Sequence, residues 1–228
     1  MYPGLVKSTG IVFDSGLRVG PEPPATVLYD KSRYRSNGDF RSDGHPDWVK
    51  SPNGLWAMDF DPDTPDYVEI PASYTQLDFT SEDFSVVLRV RLDTLTSTQY
   101  LFVRGLLNAD GWYCQIHING FLRVYTNQLA AQQASFTADG SILAATGYTL
   151  GFSRNGASIR AYINGVDSTS VAGVHINPVT CGRSAKIGIY DNLATLPFDG
   201  KITFLRICNY ALSAGQHNKM HNALKDWG

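Results

Sequence analysis

The stretch DFDPDTPDYVEI, residues 59–70, sets aspartates at 59, 61, 63 and 66, the spacing D-x-D-x-D-x-x-D. Carboxylate oxygens at such intervals are what a calcium loop offers, and the first three stand where an EF-hand loop begins. The rest does not fit. The sixth position needs glycine and holds Thr64, and the twelfth needs glutamate and holds Ile70. Pro62 and Pro65 stiffen the backbone where the loop must curl. The stretch therefore reads as an acidic turn between strands at 55–60 and 67–70.

Other reactive types are sparse. Glutamate occurs only at 22, 69 and 82, so no E-x-D-x-x-E strand can place a carboxylate pair about a glycosidic bond. No G-x-S-x-G elbow, Walker loop or G-x-G-x-x-G after a strand is found. His217 and His221 stand at helical spacing, but Asn218 follows His217 where a zinc protease needs glutamate. That pair reads as a solvated helix face. Cys114, Cys181 and Cys208 form no C-x-x-C pair, which argues against zinc and leaves one disulfide open. Cys114 alternates with core-type residues and reads as a small buried hydrophobe.

Composition narrows the classes further. The 228 residues are 43% hydrophobic and 12% aromatic, enough for one large packed domain. A net charge of −2 without a long basic run excludes general nucleic-acid binding. No window approaches the roughly 18 apolar residues of a membrane span. The start, MYPGLVKSTGIVFDSG, has no apolar h-region, so a secretory signal is not visible. That leaves an intracellular product, a virion-associated one, or a secreted one with its signal removed.

The elements that must carry any site are strands. Asn-Gly recurs at 37–38, 53–54, 119–120, 155–156 and 164–165, a dipeptide suited to the positive φ of tight hairpin turns. FSVVLRVRL, 84–92, alternates strictly, which predicts a strand with one face on a core. Hairpins are expected over 111–127 and 148–166, and a late strand over 201–212. Ser213 and Gln216 form a capping box for a C-terminal helix, 213–226, with Met220, Leu224 and Trp227 inward, closing one end of the molecule. Residues 1–25, rich in Gly and Pro, read as an extended arm that packs along the domain or reaches a neighbour. Residues 26–228 then form one domain. The expected fold is all-β, a two-sheet antiparallel jelly-roll sandwich.

The order YDKSRYRSNGDF (29–40), GLWAMDFDPDTPDYVEIP (54–71), FSVVLRVRL, RAYINGV (160–166) and FDGKITFLRICNYALSAGQ (198–216) resembles the laminin G-like jelly rolls of the concanavalin A-like lectin and glucanase superfamily. The resemblance covers about 28–216. The chain departs from the pattern at Pro62-Asp63-Thr64-Pro65, which replaces a short glycine turn. The resemblance implies a structural Ca²⁺ contributed by Asp30, Asn37 and Asp199. The competing expectation is that Asp30 and Asn37 make Asx-type turn hydrogen bonds.

Alternation also assigns faces. Trp112, Cys114, Ile116, Ile118, Leu122 and Val124 point inward, leaving Tyr113, Gln115, His117, Phe121, Arg123, Tyr125 and Asn127 outward. In the next hairpin Arg160 and Tyr162 point out. Aromatic rings among amides, imidazole and guanidinium suit carbohydrate, whose C–H faces stack on rings and whose hydroxyls meet planar polar groups. The expectation is a non-catalytic lectin-like adhesion module binding a carbohydrate or glycoconjugate through Tyr113, Gln115, His117, Arg123, Tyr125, Asn127, Arg160 and Tyr162. The alternative is a structural or decoration protein of a larger assembly, such as a phage particle or surface fibre, attached or self-associating through 1–25. A third reading follows from QIH at 115–117 and AKIGIYDN at 185–192, which loosely echo alginate-type lyases, although their R-[ST]-E-L-R strand is missing. There Gln115 would neutralise a uronate while His117 and a tyrosine move protons.

Overall fold

The computed structural model describes residues 10–16, 26–41, 45–50, 54–192 and 195–226. In chain order the first strands are β1 (Ile11–Asp14), β2 (Val27–Leu28), β3 (Gly38–Phe40), β4 (Asp47–Lys50), β5 (Trp56–Phe60) and β6 (Val68–Ile70). Longer strands follow: β7 (Phe84–Leu92), β8 (Gln99–Leu106), β9 (Asp110–His117), β10 (Phe121–Gln128), β11 (Ala131–Thr137), β12 (Gly147–Asn155) and β13 (Ser158–Ile163). The chain closes with β14 (Val166–Asp167), β15 (Thr169–Val171), β16 (Ala185–Ile187), β17 (Gly200–Cys208) and the helix α1 (Ala214–Leu224).

These form two antiparallel sheets. Sheet A runs β14-β13-β12-β7-β17-β5-β4, with β1 also pairing β17, and sheet B runs β15-β11-β10-β9-β8-β16-β6-β3-β2. The period-two segments dictate this stacking, because each must bury its apolar face against another layer. Val86, Leu88 and Val90 of β7 meet Trp112, Cys114 and Ile116 of β9 in one core, at whose centre Trp112 packs among Phe79, Phe84, Phe102 and Phe152. The result is the all-β jelly-roll sandwich that the alternation predicts.

The turns follow their chemistry. Asn164 and Gly165 both take positive φ, 51° and 78°, between β13 and β14, as a type I′ turn requires. The predicted hairpins at 119–120 and 155–156 also form, with His117 opposite Phe121 and Asn155 opposite Ser158. The acidic stretch is a turn that carries the chain from β5 in sheet A to β6 in sheet B. Asp63 N–H donates to the Asp61 carboxylate at 2.8 Å and Asp61 N–H to that of Asp66 at 2.9 Å.

Three expectations are corrected. Residues 11–14 are a strand with Val12 and Phe13 in the core, so this part of 1–25 belongs to the domain; residues 1–9 and 17–25 lie outside the described ones. The β7 strand is buried on both faces, because α1 lies across the outside of sheet A instead of capping an end. Val87 packs with Phe204, Leu212, Met220 and Leu224, and the Arg89 guanidinium donates to the Lys225 carbonyl at 2.9 Å. His217 is accordingly buried. It stacks on Tyr162 at 3.8 Å and bonds Ser153 Oγ at 2.8 Å, and neighbouring His221 bonds Thr149. Trp227 lies outside the described residues.

Candidate functional site

Sheet B has a second populated surface, on the side away from the core. Strand register sets its residues in rows. Tyr100 of β8 stands opposite Gln115 of β9, Gln115 opposite Arg123 of β10, and Arg123 opposite Phe136 of β11. The next row runs Lys186, Val103, Tyr113, Tyr125 and Ala134. A third pairs His117 with Phe121, their rings stacked at 4.4 Å.

The aromatic members touch one another. Tyr113 lies 5.4 Å from Tyr100 and 4.8 Å from Tyr125, and the Tyr190 ring lies tilted over Tyr100 at 4.6 Å. Tyr190 and Leu196 cover the Tyr100 end, where Tyr100 N–H donates to the Leu196 carbonyl at 3.3 Å. Burial there pushes the Tyr100 and Tyr113 phenols well above the usual tyrosine range and raises Tyr190 too. These tyrosines are neutral hydrogen-bonding rings at any ordinary pH.

At the other end lies a cation. The Arg123 guanidinium sits 4.8 Å from the Phe121 ring, 5.5 Å from Phe136 and 5.6 Å from Tyr125. One of its terminal nitrogens donates to the Tyr125 hydroxyl at 2.8 Å. His117 is half-buried beside it and accepts the Asn119 N–H on Nδ1 at 3.2 Å. Burial first, then the Arg123 charge, lowers the His117 pKa, so its ring is neutral and Nε2 carries a proton to donate.

The eight residues expected to bind ligand are thus divided. Gln115, His117, Arg123 and Tyr125 share this face, with Tyr113 beneath it at 1% exposure. Asn127 is not available: its amide holds the 108–111 turn, accepting from Asn108 N–H at 3.3 Å and donating to the Gly111 carbonyl at 3.3 Å. Arg160 and Tyr162 lie on β13 in sheet A, where Arg160 pairs with Asp167 and Tyr162 is covered by α1. Outward alternation groups them with the others because it cannot tell one sheet's outside from the other's. Tyr100 and Phe136 escaped the sequence reading. A bulge between Tyr100 and Phe102 sends both Leu101 and Phe102 into the core and breaks the period-two signal.

The expected calcium set is not assembled. Both Asp30 carboxylate oxygens are occupied: Oδ1 accepts from Asp14 and Ser32 N–H, and Oδ2 from Ser32 Oγ and Ser36 N–H, all within 2.7–2.9 Å. Asn37 accepts from Asp30 N–H at 3.0 Å. Asp199 bonds Thr94 beside the start of β17, whereas Asp14, next to Asp30, faces Arg206. Seven residues of β17 put these places about 20 Å apart. Among the described residues no group of three or more His, Cys, Asp or Glu side chains could hold a metal. The three cysteines are buried and unpaired, and burial pushes the Cys114 thiol up to about 12.

The lyase constellation does not converge either. The Tyr190 hydroxyl accepts from Leu107 N–H at 3.0 Å, at the β8–β9 turn, while His117 sits at the β9–β10 turn. The length of β9, about 20 Å, separates them.

The sequence matches a laminin G family model, described as concanavalin A-like lectin/glucanases superfamily, over residues 62–216. The chain belongs to this superfamily. No curated protein matches the sequence. Solved structures similar to this laminin G-like domain include the binding domain of botulinum neurotoxin DC in complex with rat synaptotagmin II, at 15% identity and a TM-score of 0.68, covering 96% of this chain and 52% of that one. The same binding domain in complex with SialylT gives the same identity, score and coverage. A botulinum neurotoxin type C structure, described by its dependence on two ganglioside molecules for cell entry, matches at 15% identity and TM-score 0.66 over 95% of this chain and 52% of that one. At such identities the likeness is one of fold, and the chain spans about half the length of those structures.

Proposed function

We propose that this laminin G-like domain is a non-catalytic binding module that takes carbohydrate on the outer face of sheet B. The observation that carries the reading is the second aromatic layer there, Tyr100, Tyr113, Tyr125 and Tyr190, built outside the core and edged by Arg123, His117 and Phe136. The rings meet at tilted or edge-on angles, and a solvated sheet exterior has no need of such a cluster. Sugar rings do, together with the amide, imidazole and guanidinium donors set among them. Fold relatives that bind sialyl sugars or gangliosides give the reading support by analogy.

A glycan array is the direct test, and binding is expected with or without calcium. Phe136→Ala removes one aromatic contact and should weaken the binding by roughly 2- to 10-fold. No binding to any glycan overturns the reading.

A second reading, contact with an assembly partner, is favoured by one surface. Leu107, Ile176, Val179 and Leu129, the last 84% exposed, gather where the 106–110 and 128–131 turns meet the 174–180 segment. Bonds from Ala130 N–H to the Asn108 carbonyl and from Val179 N–H to that of Asn127 hold them together. Contiguous exposed apolar side chains mark contact surfaces. Sedimentation should then show association that Leu129→Ser weakens; a monomer at all concentrations removes this second reading.

A further inference from the structure

The row Tyr100–Gln115–Arg123–Phe136 contains two polar groups that the protein itself does not satisfy. Arg41, Arg91, Arg160, Arg183 and Arg206 each face a carboxylate. Arg123 faces none among the described residues. Its positive charge rests on three ring faces and one tyrosine hydroxyl, and its Nε is buried without a partner. Directly across the β9–β10 ladder, Gln115 is only 4% exposed, and its amide, which makes no side-chain hydrogen bond among the described residues, keeps contact with solvent. Side chains paired across antiparallel strands have Cβ atoms about 5 Å apart. An uncompensated guanidinium and an uncommitted amide are therefore neighbours on one face.

A cation drawn into an aromatic cage sheds water that no acid among the described residues replaces, and the amide beside it has only solvent to bond. One ligand group serves both, a planar anion with two oxygens. Guanidinium donors match a carboxylate as a fork, and the Gln115 NH₂ and the His117 Nε2–H, both on the neighbouring strand β9, are donors for a second oxygen or an adjacent hydroxyl. Phe136, half-buried, ends the row beside Arg123 as a stacking surface for the ring that bears the anion; Tyr100, about 14 Å away over four strands, is covered by Tyr190.

The geometry points to Arg123 and Gln115 as a carboxylate-recognition site, so that the sugar bound on sheet B is an acidic one, a uronate or a sialate. This rests on the carbohydrate reading and narrows it. The cage also explains why the site stays competent without a ligand: the rings hold the guanidinium in place by cation–π attraction, so little freedom is lost on binding.

The test is calorimetry of the full chain with acidic oligosaccharides, the same oligosaccharides carboxyl-reduced to neutral sugars, and sulfated neutral ones. The wild-type protein should prefer the carboxylated form over the reduced form by 10-fold or more. Arg123→Gln should abolish that preference while keeping weak binding of the reduced sugar, and Arg123→Lys should restore it only in part, because an ammonium lacks the fork. Circular dichroism and the thermal midpoint of each variant separate this from misfolding. Should Arg123→Gln not fold, Gln115→Ala serves, with a smaller loss of the same preference. Equal affinity for carboxylated and reduced forms, a preference for sulfated ones, or a preference that survives Arg123→Gln overturns the carboxylate site and leaves the carbohydrate reading standing. Silence with all three sugars overturns both.

Discussion

Asp30 shows how much one buried side chain settles. Four donors converge on its carboxylate, three of them backbone N–H groups, and together they fold the 30–37 segment against β1. Removing the acceptor leaves those donors buried and unmet. Asp30→Ala should therefore cost about 3 kcal/mol or more, read by urea unfolding. The loss should be the same in chelator and in calcium; a calcium-dependent difference would restore a ligand role to this aspartate. The D-x-S-x-x-x-x-N-G spacing of residues 30–38 made both roles legible without choosing between them. What chose was the arrival of Asp14, sixteen residues away in sequence, on one of the oxygens. The same limit applied to Tyr113 and Gln115. Alternation gave their face, though it also turned Ile118 inward where the turn exposes it, and the burial of Tyr113 comes from Tyr190, distant in the chain.

At the scale of elements, α1 is the informative case. Its start is local chemistry: Ser213 and Gln216 close a reciprocal capping box. Ser213→Ala should cost about 1 kcal/mol, measurable in the thermal midpoint. Its position is not local. The outward side of β7 and β12 carries Val87 and Ser153, which call for a cover, and His217 supplies part of it as a neutral ring. Burial lowers the His217 pKa from 6.5 to about 4, against a small opposing effect of Asp167. His175, between Thr126 and Ser135, is lowered to about 4 as well, by burial and then by Arg154. Both rings are neutral when folded and gain protons more readily when unfolded. Stability is then full above about pH 6.5 and falls as pH drops toward 4, by up to roughly 3 kcal/mol for each ring. Urea midpoints measured from pH 7 to 4 should fall, and His217→Gln should flatten the slope. An unchanged slope in that variant would mean that α1 is not held by the neutral imidazole.

Across the whole molecule, stability rests on the interior shared by the two sheets, with Trp112 at its centre. Trp112→Ala leaves a cavity among Phe79, Phe84, Phe102 and Phe152, and its buried indole bond to the Leu77 carbonyl at 3.0 Å goes with it. The expected cost is about 3–5 kcal/mol, with denaturant dependence unchanged if the sandwich survives. Period-two alternation, Asn-Gly turns and the cap at Ser213 were enough by themselves to determine that this chain is an antiparallel sandwich with a terminal helix, because each is a short-range preference written in adjacent residues. Which sheet an outward residue decorates, what lies over it and where its polar atoms find partners were decided only by tertiary structure. Those are contacts between segments far apart in the chain, and a period of two repeats identically on every strand. Arg160 and Arg123 look alike in sequence; one is paired with Asp167 on sheet A, and the other waits in its ring of aromatics on sheet B.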